Sequence, residues 1–227
     1  MILRFLDILL SALALSLLLP LLIPVALILR FTGEGEVFFS QKRVGKDRNL
    51  FNLLKFATML KNSPNLGSGT VTLKDDPRVL PMGKFLRKTK INELPQLINI
   101  LKGDMSLVGP RPQTPRCFEA FPKNLQPIIY SVRPGLSGLG PIVFRDEETI
   151  LVKNQNSVEF YDQVIAPYKG KIESNYVNSI SLFLYFKILF ITGWVVFFPY
   201  SKIVWKMFPN LPCPPDSLKK SLNYLES

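Results

Sequence analysis

The feature that most constrains the fold is an uncharged apolar run near the N-terminus, from Ile8 to Leu29. As a helix rising about 1.5 Å per residue, it could reach across the roughly 30 Å hydrocarbon core of a bilayer. The run is too long for the apolar region of a secretory signal and lacks a small-x-small cleavage site. It therefore predicts a membrane helix and not a cleaved leader.

Two prolines and the flanking charges bear on how this helix meets the membrane. Pro20 and Pro24 each remove a backbone donor and clash with the preceding turn, so a bend is expected. Cations flank both ends, at Arg4 and Arg30, and cationic flanks favour the cytoplasm. A re-entrant helix, which enters and leaves on the cytoplasmic side, satisfies both features, whereas a kinked single span is the alternative. We expect residues 1–32 to form a re-entrant membrane anchor.

A second apolar stretch runs from Ile180 to Tyr200 and carries Lys187 in its middle. A central lysine with scattered aromatic residues suits an amphipathic helix in the headgroup region better than a span. The alternative is a buried core helix. We therefore predict membrane-surface helices over about residues 180–206 within a cytoplasmic catalytic domain of residues 33–227.

Charge and composition narrow the function classes. The net charge is +11, from 28 Lys and Arg against 17 Asp and Glu, which suits phosphates or an anionic membrane surface. Because a hydrophobic anchor is present, nucleic acid is not expected as a partner. The chain has no histidine, so acid–base or nucleophilic work falls to other side chains. Cys117 and Cys213 have no metal-ligand spacing and are interpreted as inert thiols in a reducing compartment.

The middle of the chain predicts a small mixed domain. Val37–Phe39 indicates a strand, Gly45 a turn, and residues 51–59 a helix, while turn-forming residues mark 62–78 as loop. The fold class is α/β-mixed and mostly helical, with a re-entrant membrane helix, a small cytoplasmic globular domain and interfacial amphipathic helices.

The most informative block surrounds Glu93. Helical spacing of apolar residues predicts a helix that ends at Gly103, with Asn92 as its N-cap and Pro95 in its first turn. Glu93 would then lie at a helix N-terminus, which favours an anion. An ordinary capped amphipathic helix is the alternative. Nearby cations that could hold phosphates are Arg87, Lys88 and Lys90.

Two arginine-containing turns follow this block. Arg111 stands between Pro110 and Pro112, which restrict the backbone around a guanidinium suited to bidentate phosphate binding. Arg133 precedes a proline and a glycine-rich turn, where backbone could approach a ligand. Each motif taken alone is equally typical of a structural turn.

Taken in order, these motifs become specific. They comprise Pro20 in the broken helix and the segments 39–45, 55–59, 93–97, 102–106, 109–112 and 133–138. From about residue 4 to 192 the chain resembles the bacterial sugar transferase family, the monotopic phosphoglycosyl transferases that start glycan assembly on undecaprenyl phosphate.

The resemblance implies a sugar-phosphate transferase. Its substrates would be a UDP-sugar and a polyprenyl phosphate, its released product UMP, and its cofactor Mg²⁺. The expected setting is the cytoplasmic face of the bacterial inner membrane, among membrane lipids, at the first membrane step of surface polysaccharide or glycoprotein glycan synthesis. Downstream glycosyltransferases would be its further partners.

The resemblance also implies site residues. The implied catalytic set is Glu93, which would also bind the metal, with Asn92, Lys55 and Arg87. The implied substrate and phosphate ligands are Arg111, Arg133, Asp104 and Arg43.

Several departures from the family bear on activity. Asn92 stands where the family has the aspartate that attacks phosphorus. Either Glu93 is the nucleophile, or another carboxylate such as Asp104 enters the site, or the chain is a lapsed scaffold that binds nucleotide sugar or lipid carrier for a partner transferase. Tyr185 replaces a second expected aspartate, and Leu139-Gly140-Pro141 replaces a usual Ala-Gln-Val.

Overall fold

A computed structural model describes residues 1–65, 76–152, 156–198 and 201–224 of the chain. It is mixed α/β and mostly helical, as the sequence predicts. The strands are β1 (Phe38–Val44), β2 (Leu50–Phe56), β3 (Ser106–Val108) and β4 (Gly135–Ser137). The helices are α1 (Ile2–Phe31), α2 (Pro81–Lys88), α3 (Gln96–Lys102), α4 (Pro115–Glu119), α5 (Gln126–Tyr130), α6 (Leu139–Val143), α7 (Glu147–Val152), α8 (Ser157–Phe160), α9 (Ala166–Asn178), α10 (Leu182–Phe197), α11 (Ile203–Met207) and α12 (Asp216–Lys219).

The chain forms two compact units. Unit one comprises Met1–Lys42 and Phe51–Leu107, and unit two comprises Arg43–Leu50 and Val108–Ser227. Helix α1 therefore packs as part of unit one. The domain boundary predicted at residue 32 stays a prediction.

Helix α1 dominates unit one. It has 30 residues, runs through Pro20 and Pro24, and is the one helix among the described residues long and apolar enough to cross a membrane. Its buried side chains lie at helical spacing on one stripe, whereas most of its other apolar side chains are exposed. Such a large apolar surface needs a lipid or protein partner. The buried residues are Asp7, Ser11, Leu22, Val25 and Leu29.

Both ends of α1 are tied to the rest of unit one by polar contacts. Near its start, the Arg4 guanidinium donates to the carbonyl of Ile100 at 2.8 Å, and Asp7 accepts from the amide of Leu107 at 2.9 Å. Just past its end, Glu34 accepts a hydrogen bond from the Lys61 amide. The start and the end of the apolar helix thus contact the same compact unit.

Strands β1 and β2 form a hairpin, and β2 lies where the sequence predicts a helix. The strand predicted at Val37–Phe39 is confirmed from Phe38 onward, and so is the turn at Gly45. The helix predicted over residues 51–59 is wrong because β2 occupies most of that segment. Phe56 stacks on Phe38 of the partner strand with ring centroids 5.5 Å apart. Cross-strand packing of this kind overrides a short helical pattern, which periodicity alone cannot distinguish from a strand.

The apolar core of unit one joins α1 to α2 and β2. Leu22, Val25 and Leu29 pack with Phe56 and Leu86. In the segment predicted as loop, Ser63–Asn65 forms a short 3₁₀ turn, and residues 66–75 lie outside the described residues. This core fixes α2 next to the 3₁₀ turn that precedes α3.

Unit two is built around α9 and α10. Helix α9 continues from a π-helical turn at Tyr161–Ile165 and is buried along most of its length. Helix α10 confirms the helix predicted in the second apolar stretch; it buries one face, including Tyr185 and Ile188, and exposes large apolar side chains on the other. Its placement in a membrane surface stays a prediction.

Candidate active site

The site in unit one is organised by Asn99, a buried amide near the centre of α3. Its Oδ1 accepts from the amide of Leu54 at 2.9 Å, and its Nδ2 donates to the carbonyl of Asn52 at 2.8 Å. One side chain therefore satisfies two backbone groups of β2 that would otherwise lose a partner. This pair of hydrogen bonds fixes α3 to β2 and sets the position of the next strand residue, Lys55.

Lys55 and Glu93 form the central contact. The Lys55 Nζ lies 3.0 Å from Glu93 Oε1, and the two side chains are 20% and 13% exposed. A charge-assisted hydrogen bond at this depth favours an ionised carboxylate, since the neighbouring ammonium offsets the cost of partial burial. Both side chains retain some contact with solvent. The structure thus brings together two of the predicted catalytic residues.

The prediction that Asn92 caps the following helix is wrong. Asn92 lies inside a 3₁₀ turn at Ile91–Glu93, which begins after Lys90 in a left-handed conformation, and α3 itself starts only at Gln96. Pro95 precedes α3, and no described side chain caps it. Glu93 therefore lies in this 3₁₀ turn, three residues before α3, and its carboxylate pairs with Lys55. The predicted end of the helix at Gly103 is confirmed, with a φ of 97°.

Asn92 directly precedes Glu93 in the chain, and its side-chain amide is buried. Its exposure is 6%, and its Oδ1 has no hydrogen-bond partner in the part of the chain that the structure describes. A buried carbonyl oxygen without a partner is unfavourable unless it serves a ligand or a water. Asn92 is therefore a candidate ligand and not a structural cap.

The remaining predicted residues of unit one lie in different surroundings. Arg87 is in the last turn of α2, which packs on the 3₁₀ turn containing Glu93, and its guanidinium contacts the sulfur of Met59 at 3.8 Å. Asp104 follows the far end of α3 and accepts from Asn99 Nδ2 at 3.1 Å. Since α3 spans about 10 Å at helical rise, Asp104 is separated from Glu93 by the length of this helix. This placement disfavours Asp104 as a substitute nucleophile.

The three predicted arginines of unit two gather on neighbouring segments. Arg43 donates to the carbonyl of Pro112 at 3.2 Å, which ties it to the residue after Arg111. The carbonyl of Arg133 lies against Gly109, where an added Cβ would come within 2.6 Å of that oxygen. The Arg133 side chain is exposed and that of Arg111 is half-buried. The phosphate-binding role of all three stays a prediction.

Sequence reasoning missed two residues that organise these segments. Asn99 is a polar residue within the apolar run of α3, and Glu173 is a carboxylate between apolar and small residues of α9. Glu173 is fully buried and accepts from the Arg111 amide at 2.9 Å. Burial raises its pKa to about 7, while the Arg111 amide and the Lys169 cation act in the opposite direction. For Asn99 the available signal was a polar residue between two isoleucines, whereas Glu173 lies among other polar residues of α9 and gave no such signal.

The residues around Glu93 fit a magnesium ion that takes most of its ligands from a substrate. Mg²⁺ prefers oxygen ligands and is commonly held by one or two protein carboxylates together with phosphates. Glu93 supplies a carboxylate, and the Asn92 Oδ1, which no described residue contacts by a hydrogen bond, supplies a neutral oxygen. Among the described residues there is no cluster of three acidic, cysteine or histidine side chains that would form a complete protein cage.

The sequence profile of the bacterial sugar transferase family matches residues 1–199. The chain therefore belongs to this family. The match includes α1, the Lys55–Glu93 pair, the Arg111 segment and α10, so every predicted site residue falls within it.

Three relatives illustrate the similarity. Over 142 residues the chain is 40% identical to a UDP-N-acetylgalactosamine-undecaprenyl-phosphate N-acetylgalactosaminephosphotransferase of Aeromonas hydrophila, which covers 62% of this chain and 33% of the relative. It is 35% identical to the UDP-glucose:undecaprenyl-phosphate glucose-1-phosphate transferase of Escherichia coli K12, over 82% of this chain and 38% of that protein. It is 37% identical to the exopolysaccharide production protein ExoY of Sinorhizobium fredii, over 63% of this chain and 70% of ExoY. The chain thus spans about a third to two fifths of the first two of these relatives.

Proposed function

We propose that this chain transfers a sugar-1-phosphate from a UDP-sugar to a polyprenyl phosphate such as undecaprenyl phosphate, with release of UMP. The observation that carries the proposal is the Lys55–Glu93 pair, which places a partly exposed carboxylate against a cation within the residues that match the family. The names of the relatives from Aeromonas hydrophila and Escherichia coli support the same reaction class.

In the first step, an oxygen of the Glu93 carboxylate attacks the β-phosphorus of the UDP-sugar. A bond forms between Glu93 and phosphorus, and the bond from that phosphorus to the bridging oxygen breaks, so that the oxygen leaves with UMP. Lys55 holds the carboxylate in place before attack and can then turn towards the oxygens of the transferring phosphoryl group. Arg87 supplies further positive charge from the adjacent helix α2.

In the second step, an oxygen of the polyprenyl phosphate attacks the same phosphorus. The bond to Glu93 breaks, the carboxylate is regenerated, and the product is a polyprenyl diphosphate sugar. Both steps use the same carboxylate, first as nucleophile and then as leaving group, next to the same cation. Two successive displacements predict ping-pong kinetics.

Glu93 and Asn92 are the residues that would hold magnesium. When bound, the ion would offset the negative charge of the diphosphate. In unit two, Arg111 is the candidate for bidentate phosphate contact, with Arg43 and Arg133 as further phosphate ligands. These roles rest on the chemistry of the side chains and on the family resemblance.

The proposed setting is the cytoplasmic face of the bacterial inner membrane, with α1 as a re-entrant anchor and α10 in the headgroup region. The topology is supported by the attachment of both ends of α1 to unit one, through Arg4 and Asp7 at the start and Glu34 past the end. The surface placement of α10 is supported by its exposed face of phenylalanine side chains, including Phe183, Phe190 and Phe197. There the lipid-linked product could pass to glycosyltransferases of surface polysaccharide or glycoprotein glycan synthesis.

The test is a UMP-release assay on the full chain in lipid nanodiscs, with undecaprenyl phosphate and a panel of UDP-sugars, with and without Mg²⁺. Magnesium-dependent release with at least one sugar supports the proposal. Absence of release from every sugar would contradict it and would favour a membrane scaffold that binds these molecules without turning them over. Catalysis that is unchanged when Mg²⁺ is chelated would remove the metal from the proposal.

A further inference from the structure

Two buried polar side chains of helix α9 form hydrogen bonds with the main chain of residues 108–111. Glu173 Oε1 accepts a hydrogen bond from the Arg111 amide at 2.9 Å, and the Tyr176 hydroxyl donates to the carbonyl of Val108 at 3.1 Å. The two side chains are three residues apart, so they lie on the same face of the helix. Helix α9 therefore holds residues 108–111 at both ends.

Further contacts restrict Arg111 itself. The Gln113 side chain donates to the Arg111 carbonyl at 3.3 Å, so both main-chain polar groups of Arg111 are bound by buried side chains. The prolines on either side fix their own φ angles and restrict the preceding residue. The carbonyl of Pro110 accepts from the Gly135 amide at 2.8 Å. These contacts hold the main chain of Arg111 in one conformation, and the residue as a whole is half-buried.

Burial of the Glu173 carboxyl group, which binds the Arg111 amide, is energetically costly. Glu173 is 0% exposed, and its Oε2 has no hydrogen-bond partner among the described residues. Gly140 lies directly against it, where an added Cβ would come within 2.1 Å of Oε1, so the fold gives up a side chain at Gly140 to admit the carboxyl group. An apolar residue of similar volume would avoid the desolvation penalty. The energetic cost points to a role beyond filling space.

We propose that Glu173 is a positioning residue, which fixes the main chain of Arg111 so that its guanidinium binds the diphosphate of the nucleotide-sugar donor. The inference deepens the proposed function and rests on it for the identity of the ligand. A guanidinium on a fixed main chain loses less conformational freedom on binding, which raises affinity without any added contact.

The experiment measures UDP binding calorimetrically on the full chain in nanodiscs, because UDP is common to all the candidate donors and binding needs no turnover. Glu173→Leu should weaken UDP binding about tenfold, the scale of one lost hydrogen bond to a charged group. Glu173→Gln keeps an acceptor oxygen and should retain most of the affinity. In an Arg111→Lys background, which already loses the bidentate fork, Glu173→Leu should cause little further loss.

A matched control separates positioning from general stability. Gln126 is also buried, and it donates to the carbonyls of Phe118 and Phe121 in the same unit. Gln126→Leu leaves the carbonyls of Phe118 and Phe121 without this donor, so it should lower the melting temperature but leave UDP affinity near wild type. If Glu173→Leu does not fold, Glu173→Asp, which withdraws the acceptor by one methylene, should give a smaller loss of affinity that Arg111→Lys also masks.

Three outcomes would overturn the inference: wild-type affinity in the Glu173 variants, losses that add to those of Arg111→Lys, or no UDP binding by the wild-type chain. By contrast, UDP binding with the expected masking but no UMP release from any UDP-sugar would contradict the proposed transferase activity and leave the role of Glu173 standing. The failure of one proposal is thereby distinguished from the failure of the other.

Discussion

The Lys55 ammonium lies 3.0 Å from the Glu93 carboxylate, and the two residues come from a strand and a 3₁₀ turn that are 38 positions apart in sequence. Asn99 helps to hold this contact in place, because it fixes α3 to the strand that carries Lys55. The pair gives one carboxylate in unit one both a local cation and access to solvent. The following predictions test whether that carboxylate performs chemistry and what supports it.

Replacing Glu93 tests the proposed nucleophile. Glu93→Gln keeps the shape of the side chain but removes the anion, so UMP release should fall by about three or more orders of magnitude. The melting temperature should change little, since the amide oxygen can still accept from Lys55. The assay is UMP release in nanodiscs, with Glu36→Gln, whose carboxylate pairs with Lys61 in the same unit, as a charge-matched control. Substantial turnover by Glu93→Gln would assign the nucleophile elsewhere.

Replacing Asn92 tests the departure from the family. Asn92→Asp restores the family's carboxylate, so UMP release should be maintained or increased. Because Asn92 is buried, the new carboxylate should reduce stability by about 1–3 kcal/mol in the absence of ligand. An inactive wild type whose activity appears only in Asn92→Asp would identify a lapsed enzyme. The family assignment would be unaffected.

Replacing Asn99 tests how the pair is held. Asn99→Leu leaves the Leu54 amide and the Asn52 carbonyl without their partner, and each loss should cost about 1–3 kcal/mol. UMP release should also fall, because α3 and β2 are no longer fixed at the position of Lys55. The measurements are thermal unfolding and turnover of the same preparation. A destabilised variant with wild-type turnover below its melting temperature would show that Asn99 acts on stability alone.

Cysteine labelling tests the topology of α1. Single cysteines at positions 3 and 34, in a background with Cys117→Ala and Cys213→Ser, should both be inaccessible to an impermeant thiol reagent added to intact cells. Both should react once the cells are opened. This result is expected because the two flanks carry cations and contact the same unit. Reaction of either position from the periplasm would establish a single span.

The buried Glu173 predicts a pH dependence of stability. Its pKa is raised from 4.5 to about 7 by burial, against the opposing effects of the Arg111 amide and the Lys169 cation, itself paired with Glu147. A raised folded-state pKa gives stability that is complete below about pH 4.5 and is lost as pH rises through 7. The loss should approach about 3 kcal/mol, the equivalent of the shift.

The melting temperatures of wild type and Glu173→Gln are measured by thermal unfolding between pH 5 and pH 8. The wild-type melting temperature should fall across this range by more than that of the variant, which lacks the titrating group. Parallel curves for the two proteins would show that Glu173 does not titrate in this interval.

Local patterns in the sequence predicted much of this architecture. The apolar runs gave α1 and α10, and Gly103 gave the end of α3, because uninterrupted hydrophobicity and a left-handed glycine act locally. The helix predicted over residues 51–59 is wrong because the apolar residues there fit both a helical and a strand repeat. Only pairing with β1 selects the strand. A short apolar segment therefore needs its partner strand to be known.

The sequence predicts which residues form the candidate site, but it does not predict how they are arranged. Glu93, Lys55 and Arg87 were identified through motif order, yet the cap assigned to Asn92 failed because Lys90 turns left-handed and delays the start of α3. Asn99 escaped notice because its role depends on β2, far away in sequence. Contacts of this range are set by packing and leave no local pattern.

The central claim is that Glu93 forms a bond to the phosphosugar, and trapping that species tests it most directly. The full chain is incubated with a UDP-sugar labelled at its β-phosphate, without polyprenyl phosphate, and the labelled peptide is identified by mass spectrometry. We expect one phosphosugar adduct on Glu93, released by hydroxylamine or by added undecaprenyl phosphate and absent from Glu93→Gln. An adduct on another residue, or UMP release that always requires the lipid acceptor and leaves no adduct, would contradict the account.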